Sequence, residues 1–143
     1  MTKFGTKPNI LKRFIAGLID YTLVIGFFYA FIFSFGELDK DGEYTIKGLI
    51  TLVPIIFWFI IIIFPEVVYG ATLGNLIVGL KPKSLTQNNG ELSIGQSIRR
   101  HLLDCIDMFP FGLIAIIIIK NTKRNQRLGD IWAETIVVEI NQK

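Results

Sequence analysis

The sequence predicts an all-α membrane protein with two transmembrane helices, a third membrane-embedded helical segment and a small cytoplasmic connector. Of its 143 residues, 51% are hydrophobic and 19% are charged, whereas about a quarter of the residues in soluble domains are charged. Residues 14–35 carry a single charge and residues 48–65 carry none. One soluble domain of this length has too little interior to bury both runs. The whole chain therefore predicts a single membrane domain.

The two long apolar runs define the transmembrane helices. As an α-helix, residues 14–35 extend roughly 33 Å and can cross a hydrocarbon core of about 30 Å. The second helix covers residues 48–69, with Pro54 in its first turns and Pro65 near its end. Pro54 marks the place where we expect this helix to kink.

The third segment, residues 102–120, allows two arrangements. Its uncharged part, residues 108–119, gives only roughly 18 Å of helix, which is too short to cross, and Pro110 interrupts it. The segment is either a re-entrant hairpin or a full third span that carries Asp104 and Asp107. Its length and the proline favour re-entry.

Lysine and arginine counts predict the orientation. The N-terminal arm carries four of these residues, the first connector two, and the second connector, residues 70–101, four. The positive-inside rule then predicts a multi-pass protein of the cell membrane with a cytoplasmic N-terminus. The tail, residues 121–143, begins with another basic cluster, which stays inside only if the third segment re-enters.

Short β pairing is expected at the cytoplasmic side. Asn89 and Gly90 form a strong turn signal within the connector. Residues 135–140 of the tail are rich in β-branched side chains and could pair with a strand around residues 76–80. A mobile tail is the alternative.

Asp20 is the most informative charge in the sequence. A lone carboxylate within a span costs about 2.5–3.5 kcal/mol on insertion scales, so it usually faces protein or water. Arg13 lies two turns earlier on the same helix face, with the small residues Ala16 and Gly17 between them. This stripe is either a site for an ion or a proton, or a structural contact in which Asp20 pairs with a cation on another helix.

A second polar cluster follows the connector. Ser93 and Gln96 fit a capping box, and the helix after them carries polar residues along one side. Arg100 and Asp104 are spaced as an i,i+4 pair, and Asp107 shares a face with Asp104. The two aspartates are candidates for binding a cation or relaying protons. The alternative is a solvated polar face at the membrane interface.

Other classes of site are not supported by the sequence. It contains no phosphate-binding loop, zinc-ligand spacing or nucleophile–base pattern, so we expect no enzyme activity, no cofactor and no metal. The single Cys105 excludes a disulfide framework. The net charge of +3 is explained by membrane topology, so the expected partner is the lipid bilayer rather than nucleic acid.

Four blocks carry a further pattern in order along the chain. They are RFIAGLID at residues 13–20, GATLGNLIVGLK at 70–81, the helix at 93–110, and RNQRLGD at 124–130, which contains Arg127 and Asp130. Together they resemble the RDD family of small integral membrane proteins. The resemblance implies a part in the transport of an unidentified ligand, and some relatives look like monovalent-cation/proton antiporters.

The expected function is therefore transport of a small ion, with exchange of a monovalent cation for a proton as one form. Asp20 would exchange the proton or cation, Arg13 would hold its charge state, and Asp104 or Asp107 would serve the cytoplasmic side. Two spans and a hairpin hardly enclose a path, so the transporter would be a homo-oligomer. The alternative is a non-transporting scaffold or accessory protein whose charges lock helices together.

Overall fold

The computed structural model describes residues 6–107 and 112–140, and it contains both expected long helices. Helix α1 covers Ile10–Phe35, and a second continuous helical stretch covers Leu49–Val68. With 26 and 20 residues, both are long and apolar enough to cross a membrane. The prediction of two such helices is confirmed, although α1 begins four residues earlier than the apolar run at residues 14–35.

The second long helix is irregular in the middle. A 3₁₀ turn at Leu49–Leu52 leads into α2 (Val53–Trp58), a π-helical turn at Phe59–Ile63, and then α3 (Phe64–Val68). Pro54 lies in the first turn of α2, where a proline needs no partner for its nitrogen. The helix is instead widened just before Pro65, which cannot donate to an α-helical ladder.

The two long helices lie side by side and are joined by a short hairpin. The rings of Phe27 and Phe57 stack with centroids 3.7 Å apart and an interplanar angle of 9°. Beyond them, β1 (Glu37–Leu38) pairs antiparallel with β2 (Tyr44–Thr45). We call this end of the molecule the hairpin end.

The opposite end carries the remaining described elements. They are α4 (Leu73–Ile77), β3 (Leu80–Ser84), α5 (Ile94–Leu102), α6 (Asp104–Asp107), α7 (Leu113–Asn121), α8 (Leu128–Trp132) and β4 (Thr135–Glu139). Strands β3 and β4 pair antiparallel, from Leu80 opposite Glu139 to Ser84 opposite Thr135. The tail therefore pairs as expected, four residues further along the connector than the sequence indicated.

The tail also meets the start of α1. The Lys12 ammonium lies 2.7 Å from a Glu139 carboxylate oxygen, and the Lys7 ammonium lies 3.5 Å from the other. Helices α6 and α7 flank residues 108–111, which include Pro110 and lie outside the described residues. The re-entrant third segment therefore stays a prediction.

Helix α4 packs closely on α1. A Cβ added to Gly74 would collide with the backbone carbonyl of Ala16 and with the Asp20 side chain. Only a glycine allows this approach, and it buries Ala16. Part of the small-residue surface of α1 is thus covered by the chain's own connector.

Candidate functional site

Six ionisable side chains of alternating charge close a ring at the end opposite the hairpin. The consecutive nitrogen–oxygen distances are 3.1 Å for Asp130–Arg100, 3.5 Å for Arg100–Glu66, 3.3 Å for Glu66–His101, 2.7 Å for His101–Asp104, 2.5 Å for Asp104–Arg127 and 3.9 Å for Arg127–Asp130. We call these six residues the charge ring. Every member is at least partly withdrawn from solvent, and the Glu66 and Asp130 side chains are fully buried.

Four helices bring the ring together. Glu66 is near the end of the second long helix, and Asp130 is in α8. The other helical members come from α5, with Arg100 and His101, and from α6, with Asp104. Arg127 precedes α8, and its backbone N–H donates to the Asp130 carboxylate at 3.2 Å, which fixes the first turn. Gly129 lets α8 approach α5, because a Cβ there would collide with the Arg100 carbonyl.

Further side chains bond to the ring from outside. The Arg13 guanidinium lies 3.0 Å from Asp130 and also donates to the Asn125 carbonyl at 2.8 Å. The Ser97 hydroxyl donates to Glu66 at 2.6 Å, and the Tyr21 hydroxyl donates to Asp104. Through Arg13 and Tyr21, α1 is therefore bonded to two ring members, Asp130 and Asp104.

The surroundings keep the ring charged. Burial alone would lower the pKa of His101, but the carboxylates of Glu66 and Asp104 outweigh it and raise this pKa to about 9. Burial would likewise raise the pKa of Asp130, but the nearby guanidinium groups, Arg100 foremost, hold it below its usual value. At neutral pH the ring therefore contains three cations and three anions.

Asp20 lies outside this ring and has neutral partners. One carboxylate oxygen accepts from the Thr72 hydroxyl at 2.6 Å, and the other accepts from the Gly74 amide at 2.7 Å. The residue is only 5% exposed. Within the described residues no ion pair joins Asp20 to a cation.

Asp107 is a second buried carboxylate of this kind. It is fully buried, and one oxygen accepts from the Gly129 amide at 3.0 Å. Among the residues that the structure describes, its other oxygen has no hydrogen-bond partner. Asp20 and Asp107 are thus held by neutral donors, whereas the ring carboxylates are held by cations.

A cavity of about 80 Å³ lies between Asp20 and the ring. Asp20, Tyr21 and Asn75 line it, and so do Ile62 and Ile119. Its wall also includes Arg13 and four members of the ring: Arg100, His101, Asp104 and Arg127. This volume can hold a few water molecules, since one needs only about 10–15 Å³ of such space. The site thus joins an unpaired carboxylate to a space large enough for water or a small ion.

A comparison with known protein families covers every residue of this site. The sequence model of the RDD family matches residues 7–134, which is most of the chain. The chain belongs to the RDD family. Among curated proteins and solved structures, no significant match was found.

All four RDD blocks meet at this site. The first supplies Arg13 and Asp20, and the second supplies Thr72 and Gly74 beside Asp20. The third supplies the ring members Arg100, His101 and Asp104, and also Asp107. The fourth supplies Arg127, Asp130 and the Gly129 amide. Residues that the sequence spreads over more than 100 positions are therefore neighbours.

Two expected arrangements of charge are not found among the described residues. Arg13, expected to hold the charge state of Asp20, pairs with Asp130, and Asp20 bonds to Thr72 and Gly74 rather than to a cation on another described helix. Arg100 pairs with Glu66 and Asp130, whereas its expected partner Asp104 pairs with His101 and Arg127. Partners on other elements replace the local ones in both cases.

The prediction of a solvated polar face on α5 and α6 is also wrong. Ser97, Arg100, Asp104 and Asp107 are buried. The apolar side is the exposed one, with Leu102 at 52% and Ile106 at 46% exposure, and Cys105 is exposed with them. The polar side faces the ring instead of water.

Sequence reasoning missed several partners in the site. Glu66 and His101 each look like an isolated charge near an interface, and Tyr21 looks like an ordinary residue of the first span. Thr72 lies in the second RDD block, which could have drawn attention to it. Among the described residues, no group of three or more His, Cys, Asp or Glu is arranged to hold a metal ion.

Proposed function

We propose that this RDD protein transports a small monovalent cation in exchange for a proton, with Asp20 as the exchanging group. The observation that carries the proposal is a buried carboxylate that has only neutral donors and borders a cavity. Such a carboxylate must bind a proton or a cation to become neutral, because a buried unpaired charge is costly. A proton on Asp20 can therefore be replaced by a bound cation, and the cation by a proton.

The charge ring has a fixed, structural part in this proposal. Its members already neutralise one another, so they hold the walls of the cavity while Asp20 changes state. Arg13 belongs to this support because Asp130 neutralises it. Asp104 is engaged likewise, which leaves Asp107 as the second buried carboxylate able to accept a proton.

We further propose a multi-pass protein of the cell membrane with both termini in the cytoplasm and a re-entrant third segment. The contact between Lys12 and Glu139 supports termini on the same side. Labelling of cysteines introduced at Asn9 and Asn141, in a Cys105→Ser background, tests this arrangement. Outside labelling of either position would contradict it.

The exchange itself is tested in liposomes that contain only this protein. A sodium or potassium gradient should drive proton movement, read by a trapped pH-sensitive dye. Asp20→Asn should abolish this flux yet fold normally, since an amide can accept from the Gly74 N–H and donate to the Thr72 hydroxyl. Asp41→Asn, which removes an exposed carboxylate at the hairpin end, is the matched control and should retain flux.

The closed ring also favours a second function, that of a non-transporting scaffold. Every ring member is paired, as expected of charges that lock helices together. The same experiment separates the two functions. A folded wild-type protein without flux supports the scaffold, and a folded Asp20→Asn protein with wild-type flux rejects Asp20 as the carrier.

A further inference from the structure

An open groove of about 630 Å³ lies beside the charge ring. Its apolar wall comes from α1, with Phe14, Leu18 and Ile25, and from Trp58 on the second long helix. Leu102 and Cys105 border it on the side of α5 and α6. The groove is therefore built partly from the exposed apolar face of these short helices.

The length of the groove along α1 matches the depth of one leaflet of a bilayer. It runs along α1 from Phe14, the residue after Arg13, to Ile25 near the middle of the span. These eleven steps correspond to roughly 16 Å of helix. One leaflet, half of a hydrocarbon core of about 30 Å, has the same depth.

The groove is polar where it meets the charge ring. Tyr21, His101 and Asp104 line it there, and all three belong to the ring or bond to it. Further along α1, toward Ile25 and Trp58, its lining is apolar. This is the polarity of a lipid, with its headgroup end near the ring and its chain toward the bilayer centre.

We propose that an acyl chain of a phospholipid from the adjacent leaflet occupies this groove. Both helices that form its apolar wall are those suited to cross the bilayer, so the groove is continuous with the lipid-facing surface. The chain covers the side of the Tyr21–Asp104 hydrogen bond that faces the membrane. This inference is independent of ion transport.

Cys105 provides the test, because it is the only cysteine in the chain and lies exposed beside the groove. An environment-sensitive fluorophore on Cys105 is reconstituted with the full protein in phosphatidylcholine vesicles. Phosphatidylcholine with brominated acyl chains should quench most of its fluorescence. The matched control carries the label on Asn88→Cys in a Cys105→Ser background, at an exposed turn, and should lose little.

A second variant tests the groove rather than the helix face. Leu18→Trp adds bulk to the groove wall and should clearly reduce the quenching at labelled Cys105 by displacing the chain. Equal quenching with and without this change would overturn the proposal, as would quenching no stronger than at position 88. Efficient oxidative cross-linking of two unlabelled chains through Cys105, together with weak quenching, would show that a second copy covers the groove instead.

Discussion

Each charge in the ring contacts two neighbours of opposite sign, so a substitution of one member breaks two ion pairs at once. Arg100 illustrates this, since its guanidinium serves both Glu66 and Asp130. Removing one partner from a buried pair is costly because the other charge stays buried without compensation. Loss of any one ring member should therefore destabilise the folded protein much more than loss of a surface ion pair would.

Arg100→Met should destabilise the protein by about 3–5 kcal/mol, because it leaves two buried carboxylates without their shared cation. Denaturation of the purified protein in mild detergent measures the change. The control is Arg99→Met at the next position, where the side chain is only half-buried and bonds to the Gly95 carbonyl. That change should stay within about 0.5 kcal/mol, and equal losses for both variants would contradict the role of the ring.

His101 gives the ring a defined pH dependence. Its pKa is raised to about 9, so protonation of His101 stabilises the folded protein. This contribution is complete below about pH 6.5, the value of an unperturbed histidine. It is lost as the pH rises through about 9.

The thermal unfolding midpoint should accordingly fall as the pH rises from about 6.5 to about 9. His101→Gln cannot take up this proton, so its midpoint should be lower at neutral pH and should change less over the same interval. Parallel curves for the two proteins would show that another group causes the dependence.

At the scale of elements, the close approach of α4 to α1 makes a sharp prediction. Gly74→Ala places a methyl group against the Ala16 carbonyl, which is rigid backbone, and should cost about 1–3 kcal/mol. Gly95→Ala is the matched change, because Gly95 is in a helix and has open space around its Cβ position. It should stabilise by about 0.4–1 kcal/mol, and a similar effect of both changes would argue against the packing described.

Elements with local signals could be predicted from the sequence. The two long helices follow from their hydropathy, and the capping box of Ser93 and Gln96 is present as expected. The pairing of the tail with the connector also follows from its β-branched residues. The orientation of α5 could not be predicted, because periodicity separates polar from apolar faces without saying which one meets protein.

The ring could not be predicted for a related reason. Its charges come from chain segments that local spacing does not relate, such as Glu66 and Arg100 or Asp104 and Arg127. Local rules therefore suggested neighbours on the same helix. The residues themselves were mostly identified, but their partners depend on how α8 and α5 pack through Gly129.

For the whole molecule, the proposed transport predicts more than one copy per functional particle. Two long helices have little capacity to enclose a path for an ion. Light scattering in mild detergent should give a protein mass above the 16.2 kDa of one chain. A single-chain mass for a preparation that retains flux would contradict the oligomer.

The contribution of α8 to the ring has a consequence for biosynthesis. Arg127 and Asp130 follow both long helices in the sequence, so both helices are synthesised before the ring can close. Glu66 and Arg100 are made earlier and gain their full set of partners only when α8 folds against α5. We therefore expect the ring to close as a late step of folding.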